Sequence, residues 1–337
     1  MNKRPTIREV AQVAQVSVGT VSAVVNGSPS VSDKNRERIL RAIKQIGYEP
    51  NIAARSLKKQ QASSIGIIIP DLHNPFFASV AEGVHTEARK SEVFVVLGVT
   101  ESEGRWEEYY VRSLRARRLD GTILLSGSGR PNIGLVKLVE AGSVVFVDEC
   151  VPGLEAPFVS AANRKGARLV AEELLNNGHR NIAIVSGPNW SWTSEQRLAG
   201  YREAVAAAGL DPDAVPVIQG DYTEKAGYDA TETLLTVHRQ KRLTGIIYAN
   251  DLMAIGGATL FAERGISIPS QMSIVGFDDI VPSRYFSPPL TTVAQPGFEM
   301  GRAAAQLLLH KLHIGPPPEK VVFPTELKRR ESVLYRG

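Results

Sequence analysis

Residues 6–59 read TIREVAQVAQVSVGTVSAVVNGSPSVSDKNRERILRAIKQIGYEPNIAARSLKK. Thr6, followed three residues later by Glu9, has the pattern of a capping box, which predicts the start of a helix. Ser17 predicts a second N-cap, and the Asn26-Gly27 pair predicts the end of the helix that begins there. A third amphipathic helix follows. Three short helices, of which the first two are joined by a tight turn, predict a helix-turn-helix.

The second helix of such a motif enters the major groove of DNA, so its exposed first turns face base edges. Hydroxyl side chains and a helix N-terminus can hold phosphates, which makes Thr20 and Ser22 candidate phosphate contacts. The candidate DNA-contacting residues of this segment are Thr6, Ser17, Val18, Gly19, Thr20, Ser22, Ala23 and Asn26. The alternative is that the three helices form only a small bundle, because helix-turn-helix patterns produce false positives.

The distribution of charge favours a nucleic-acid-binding segment. Residues 1–62 carry 11 Lys and Arg against 4 Asp and Glu, whereas the remaining residues carry 28 against 31. The net charge of +4 for the whole chain therefore combines a strongly basic head with a mildly acidic body. A basic segment of this kind is the electrostatic pattern of a DNA-binding module.

The motifs of the whole chain resemble those of one known family. Residues 16–27, VSVGTVSAVVNG, and residues 47–57, GYEPNIAARSL, are similar to the DNA-binding head and hinge of the lactose-repressor (LacI) family. The resemblance continues in the family's order through IGIIIPDLHNPFF, RRLDGTILL, NNGHRNIAIVSGP, RLAGY, ANDLMAIGG, MSIVGFDD and PPLTTVAQP. It covers essentially the whole chain and implies a ligand-responsive regulator of transcription.

Residues 50–63 are expected to form a hinge helix and linker between the head, residues 1–49, and the body, residues 64–337. Pro50 disfavours helix at the preceding residue, and the helix formers that follow it predict a helix of about nine residues, which is marginal alone in water. The resemblance implies that two such helices pair in the minor groove, where Leu57 wedges into a base step. The other hinge residues that it brings to DNA are Asn51, Ala54 and Arg55. The alternative is a solvated linker.

From residue 64 onwards, short runs of Ile and Val alternate with helical stretches, which predicts doubly wound parallel α/β sheets. The predicted strands are Ile65–Pro70, Val93–Val99, Gly121–Leu125, Val144–Val147, Asn181–Ser186, Val215–Gln219, Gly245–Tyr248 and Met272–Phe277. The predicted helices are Phe76–Lys90, Glu103–Arg118, Pro131–Ala141, Arg164–Asn177, Ser194–Ala208, Glu224–Val237 and Leu252–Arg264. The resemblance implies two lobes like those of periplasmic binding proteins: residues 64–161 with 292–321, and residues 162–291 with 322–337.

Ligands of open α/β sheets bind at the carboxyl ends of the strands. In this chain those ends carry aromatic side chains together with Asp, Asn and Arg, a mixture that suits sugars. The resemblance implies that Arg197, Asp278 and Asn250 contact the effector, although Asn250 could instead cap the following helix. The candidate ligand-binding residues are Asn74, Phe76, Phe77, Asp148, Trp192, Arg197, Tyr222, Asn250, Asp278 and Gln295.

Two positions depart from the family's pattern. The family commonly has arginine where this chain has Ala23, and alanine can offer only an apolar contact, for instance to a thymine methyl group. We therefore expect weaker base reading by this helix, with more of the sequence preference arising from the hinge and from DNA shape. Ala162 stands where relatives often carry aspartate, which leaves the role of Asn163 open.

Motifs for enzymes and metal sites are incomplete. Residues 127–129 read GSG without the third glycine of a dinucleotide-binding loop, and no serine lies in a GxSxG elbow. Cys150 is the single cysteine, and His310 and His313 lack an adjacent third metal ligand. We therefore expect no catalysis, no cofactor and no bound metal.

The chain shows no N-terminal signal segment and no run of about 18 apolar residues, so we expect a cytoplasmic protein. No leucine heptads follow the body, which predicts a homodimer, and a twofold axis implies a near-palindromic operator. The expected mechanism is release from this operator when a sugar-like effector binds between the lobes. A corepressor is the main alternative; a sugar-binding transport component or a sugar-modifying enzyme is a more distant one.

Overall fold

The three helices of the head begin and end close to their sequence signals. In this computed structural model, which describes residues 5–25, 28, 30–48, 64–116, 119–237 and 242–336, the helices are α1 (Ile7–Val13), α2 (Val18–Val25) and α3 (Asp33–Ile46). The predicted capping box is present: the Thr6 N–H donates to Glu9 Oε2 at 2.6 Å, and the Glu9 N–H donates to Thr6 Oγ1 at 3.4 Å. Gly47 ends α3 in the left-handed conformation, at a φ of 65°.

The head has a small apolar core of its own. Val10, Val21 and Ile39, one from each helix, belong to one buried cluster. The turn between α1 and α2 is held by Arg38 of α3, whose guanidinium donates to the carbonyl oxygen of Ala14 at 2.5 Å. The third helix thus fixes the angle at which the second helix leaves the turn.

The chain divides into two compact units, Met1–Ser63 and Ser64–Gly337. The second unit begins with β1 (Ser64–Ile69), α4 (Pro75–Lys90), β2 (Phe94–Val99), α5 (Gly104–Ala116), β3 (Gly121–Leu124), α6 (Ile133–Glu140), β4 (Val144–Val147) and β5 (Phe158–Ala161). It continues with α7 (Asn163–Asn176), β6 (Ile182–Ser186), α8 (Trp192–Ala207), a 3-10 helix (Pro212–Ala214), β7 (Val217–Gln219), α9 (Glu224–Val237), β8 (Gly245–Tyr248), α10 (Asp251–Glu263) and β9 (Ser273–Val275). The last elements are α11 (Val281–Tyr285), β10 (Thr292–Ala294), α12 (Gly297–Lys311), β11 (Val322–Phe323) and β12 (Glu326–Lys328).

Two parallel sheets form the frames of two lobes. The first has the strand order β11-β5-β4-β3-β1-β2, and the second has the order β7-β6-β8-β9. Both faces of the first sheet are covered, since Ile67 of β1 packs into one apolar cluster and the next residue, Ile68, packs into another. Burial on both faces accounts for the nearly continuous apolar runs, and the prediction of doubly wound sheets is confirmed. Among the described residues, no helix combines the length and the apolar character needed to cross a membrane.

The segments that cross between the lobes refine one predicted boundary. After β9 the chain forms β10, which pairs antiparallel with β12, and α12, which packs on the core of the first sheet. Between α12 and β12, β11 adds to the edge of the first sheet by pairing Val322 with Ser160 and Phe323 with Ala161. The family resemblance placed residues 322–337 in the second lobe. That boundary is wrong by two residues, because the parallel pairing holds β11 in the first lobe.

Helices α4 and α12 approach each other through glycines. A Cβ atom on Gly83 would lie 2.1 Å from the carbonyl oxygen of Phe298, and one on Gly301 would lie 2.0 Å from the carbonyl oxygen of Val80. No side chain fits between these two backbones, so the crossing distance is set by the absence of Cβ atoms. This packing helps to position the end of β1, because α4 is the next element after that strand.

We expect Gly301→Ala to lower the free energy of unfolding by about 1–3 kcal/mol, because the added methyl group must push backbone away from backbone. Urea denaturation followed by circular dichroism measures the change. Gly104→Ala is the matched control: its Cβ would meet no atom closer than 3.4 Å, so it should be neutral or slightly stabilising. Equal stability of the two variants would contradict the close crossing.

Candidate functional site

The start of α2 is built around Ser17. Its Oγ accepts the Thr20 N–H at 3.1 Å and lies 2.8 Å from the Thr20 hydroxyl, so the predicted N-cap is present. Val18 is 42% exposed, and Gly19 beside it is also exposed. The opposite side of the helix, with Val21 and Val24, is buried. The first turn of α2 therefore presents a nearly featureless apolar surface to its surroundings, with its hydroxyls already engaged in capping.

The other residues with a predicted DNA contact are distributed unevenly. Ser22 and Ala23 of α2 are half-buried, and Thr6 is exposed at the start of α1. Five of the predicted DNA-contacting residues lie outside the described residues: Asn26, Asn51, Ala54, Arg55 and Leu57.

A cavity of about 980 Å³ lies in the second unit where strands of both sheets end. Nine of the ten predicted ligand contacts line it: Asn74, Phe76, Phe77, Asp148, Arg197, Tyr222, Asn250, Asp278 and Gln295. Side chains from both lobes face the same space, because the carboxyl ends of parallel strands meet at one edge of each sheet. In the described residues, no group of three or more His, Cys, Asp or Glu side chains is arranged to hold a metal ion.

Arg197 is the best-fixed side chain of this cavity. It lies on α8 and is only 3% exposed; its Nε donates to Asn163 Oδ1 at 2.8 Å and one Nη donates to the Ala249 carbonyl at 2.6 Å. The same Nη lies 3.6 Å from Asp278 Oδ1, and the guanidinium lies 4.0 Å from the centre of the Phe277 ring. These contacts fix the plane of the guanidinium. Asn163, whose role the sequence left open, thus positions Arg197.

Buried carboxyl groups outnumber this guanidinium. Burial is the main reason why the pKa of Asp278 is raised to about 7; Arg197 opposes the rise and Asp148 adds to it. Burial likewise raises the pKa of Asp148 to about 6 against the attraction of Arg197. Asp251, the fully buried first residue of α10, has its pKa raised well above the usual range by burial and then by Asp278. These carboxyl groups therefore hold protons more tightly than free carboxyl groups would.

Two buried oxygen atoms of the cavity wall lack a hydrogen-bond partner among the described residues. They are Oδ1 of Asp148 and Oε1 of Gln295. Gln295 uses its amide nitrogen to donate to Asp278 Oδ1 at 2.6 Å, which leaves its oxygen free to accept. Leaving such acceptors unpaired costs about 1–3 kcal/mol each, and because both atoms are themselves buried, a ligand donor reaches them only if the side chain turns towards the cavity.

Asn250 has a structural role in addition to its place on the cavity wall. Its Oδ1 accepts the Met253 N–H at 3.0 Å as the N-cap of α10, and its Nδ2 donates to the Tyr222 carbonyl at 2.9 Å. Both ends of the amide are thus engaged within the protein. The alternative raised by the sequence, a helix cap, is present.

The aromatic residues divide into core and cavity. Phe76 is buried in the core of the first lobe and reaches the cavity only in part, with the ring of the half-buried Phe77 5.7 Å away. Trp192 does not line the cavity: it starts α8 and packs edge-on against Phe158 at 5.0 Å. Trp190, two residues earlier and before the helix, lines the cavity in its place.

Backbone geometry at the strand ends is unusual. Asp148, Tyr222, Asp278 and Asp279 have φ values of 62°, 72°, 113° and 53°, in the region that disfavours residues with a side chain. Each such conformation costs on the order of 1–3 kcal/mol and persists only where neighbouring bonds enforce it. Such a bond exists at Asp278, whose N–H donates to the Val293 carbonyl at 2.7 Å.

Glu149 is the functional candidate that the sequence analysis missed. It follows Asp148, lines the cavity and is 8% exposed, and its carboxylate accepts hydrogen bonds from the start of α8 in the other lobe. Its partners lie more than forty residues further along the chain. No local pattern in the sequence could therefore have identified it.

The raised pKa values predict a pH dependence of stability. Between pH 4 and 7 the folded protein binds more protons at Asp278 than the unfolded chain, so this group stabilises the fold increasingly as the pH falls from 8 towards 5. We expect the rise in Tm over this range to be at least about 2 °C smaller in Asp278→Asn than in the natural protein. Differential scanning fluorimetry at several pH values measures it. Asp213→Asn, in the exposed 3-10 helix, should keep the slope of the natural protein; an unchanged slope in Asp278→Asn would contradict the assignment.

Comparison with known proteins agrees with both units. Residues 6–51 match the model of bacterial regulatory proteins of the lacI family, and residues 171–333 match that of a periplasmic binding protein-like domain. The ribose operon repressor of Haemophilus influenzae is 31% identical over 307 residues, which cover 91% of this chain and 92% of that protein.

Solved structures extend the likeness to the whole chain. The lac repressor dimer bound to operator and the anti-inducer ONPF is similar with a TM-score of 0.83 and 27% identity, over 98% of this chain and 100% of that one. The complex of the transcriptional regulator CelR with cellobiose has a TM-score of 0.72 and 32% identity, over the same shares of the two chains. By its identity to the repressor over nearly its full length, this chain belongs to the lacI family of bacterial regulatory proteins, and it is a ligand-responsive, DNA-binding regulator of transcription.

Proposed function

We propose that the protein is a repressor that binds a near-palindromic operator as a homodimer and leaves it when a small sugar-like effector fills the cavity between its lobes. The observation that carries the proposal is the cavity itself, whose wall combines a fixed guanidinium with acidic and amide side chains from both lobes. Arg197 would donate to the effector, while Asp148 and Gln295 would accept from its hydroxyl groups.

The aromatic part of the cavity fits the same class of ligand. Phe77, Trp190 and Tyr222 line it together with the polar groups, and sugars present both C–H faces and hydroxyl groups. One similar structure contains cellobiose, and the similar protein from Haemophilus influenzae is the repressor of a ribose operon. The effector of this chain is thus proposed to be a sugar or a sugar derivative.

The coupling between effector and DNA would follow from linkage. An effector that binds one relative arrangement of the lobes more tightly shifts the population towards it, and with it the support that the first lobe gives to the hinge, residues 50–63. A coupling of about 1–3 kcal/mol corresponds to a 5- to 150-fold change in operator affinity, which is enough to switch a promoter. Residues 1–49 would read the operator, and residues 64–337 would bind the effector and dimerise.

We expect a sugar that raises the Tm of the protein to weaken operator binding 5- to 150-fold in a fluorescence anisotropy titration. Asp148→Asn should bind the same sugar roughly tenfold or more weakly, because it removes a charged acceptor, and asparagine tolerates the left-handed backbone there. Operator affinity without sugar serves as the internal reference, and Asp213→Asn is the matched control on the surface.

The same titration separates the alternatives. A sugar that tightens operator binding would make it a corepressor, and an operator affinity indifferent to every bound sugar would contradict the proposal. We also propose that the ligand is not turned over, which is checked by recovering it chemically unchanged after prolonged incubation with the protein.

The DNA interface is proposed at the start of α2, and a charge placed there tests it. Gly19→Asp adds a carboxylate at an exposed position with room for a Cβ, where an acid also suits a helix N-terminus, so the head should stay folded. We expect it to weaken operator binding at least about tenfold through repulsion of phosphates. Gln45→Glu makes the same charge change at an exposed position of α3; an equal loss in both variants would contradict an interface at α2.

A further inference from the structure

The carboxylate of Glu149 crosses from one lobe to the other. The residue lies just beyond β4 in the first lobe, and its two oxygen atoms meet the N-terminus of α8 in the second lobe. Trp192 N–H donates to Oε2 at 2.9 Å, and Thr193 N–H donates to Oε1 at 3.3 Å. The hydroxyl groups of Ser191, at 2.5 Å, and of Thr193 also donate to Oε1.

Every one of these contacts is a donor directed at a carboxyl oxygen, and these hydrogen bonds oppose burial and Asp148, which together raise the pKa of Glu149 to about 7. The first backbone N–H groups of a helix have no partner within the helix, and the helix dipole adds positive potential at this end, so a helix N-terminus is a natural anion site. The helix concerned is long, at 16 residues, and its second residue, Thr193, lines the cavity together with Glu149. In this chain the acidic group that occupies the position is the side chain of Glu149.

Elsewhere in the cavity wall, the unsatisfied groups are hydrogen-bond acceptors rather than donors. Oδ1 of Asp148 and Oε1 of Gln295 are buried acceptors without a partner among the described residues, and both side chains are more than nine-tenths buried. A sugar hydroxyl group supplies a hydrogen-bond donor to such an acceptor, whereas an ionised carboxylate does not. The N–H groups at the start of α8 could bind a phosphate or carboxylate group, but they already donate to Glu149.

We propose that Glu149 determines the specificity of the effector site by occupying its anion position, so that the site accepts uncharged, hydroxyl-bearing ligands and rejects phosphorylated or acidic ones. The inference rests on the proposed effector site and adds the charge class of its ligand. Removal of the Glu149 side chain vacates the N-terminus of α8 and converts the cavity into one that binds anions.

The test uses inorganic phosphate as the probe and the full-length protein without DNA. Phosphate is titrated at constant ionic strength, with chloride as the replacement ion, into the natural protein, Glu149→Ala and Glu195→Ala, and binding is followed by calorimetry and by the shift in Tm. Glu195 is the matched control, because it is an exposed carboxylate in the first turn of the same helix. Its loss removes the same charge without vacating the position held by Glu149.

We expect Glu149→Ala to bind phosphate at least about tenfold more tightly than the natural protein does, and phosphate to restore part of the Tm that the substitution removes. Glu195→Ala should behave like the natural protein. Equal phosphate binding by the two variants, or by Glu149→Ala and the natural protein, overturns the proposal.

If Glu149→Ala does not fold in chloride, Glu149→Ser vacates the same position with a smaller polar side chain, and its phosphate affinity is compared in the same way. Absence of tighter phosphate binding in Glu149→Ser overturns the proposal. Either negative result leaves the proposed repressor function standing, since that function fails only if no sugar changes operator affinity.

Discussion

The ligand cavity depends on one buried ion, Arg197. Of the described residues that line the cavity, it is the single buried cation, and it lies close to the acids Asp148 and Asp278. A buried charge persists only where its hydrogen bonds are satisfied, and here Asn163 and the Ala249 carbonyl satisfy part of the guanidinium. The acids in turn exceed what one guanidinium can neutralise, so burial raises their pKa values in spite of the attraction of Arg197.

Much of the architecture could be predicted because its causes are local. The run of isoleucines in β1 is buried on both sides. A strand of that composition predicts a parallel sheet that is covered on both faces. The end of each such strand can be read from the same run, so Asp148 after β4 and Asp278 after β9 could be assigned to one cavity from the sequence. The head could be predicted equally well, since its capping box is a pattern within four residues.

Elements with weak local signals were not predicted. β5 has four residues and includes a serine, and α12 begins at Gly297 after a proline, without a side chain that caps it. What defines α12 is its glycine contact with α4, which depends on a helix more than two hundred residues earlier. The choice between Trp190 and Trp192 fails for a related reason: α8 starts between them, and each helical residue turns the side chain by about 100°.

The left-handed backbone at Asp148, Tyr222 and Asp278 has a consequence for how this cavity can diverge. β-Branched residues are poorly tolerated in such conformations, whatever their fit to a ligand, so the range of side chains open to these three positions is narrow. Phe77 and Gln295, which have ordinary backbone and face the same space, are free of that restriction. Duplicated copies of the gene would therefore acquire new ligand preferences mainly through positions such as Phe77 and Gln295. The three positions with left-handed backbone would keep the shape of the pocket.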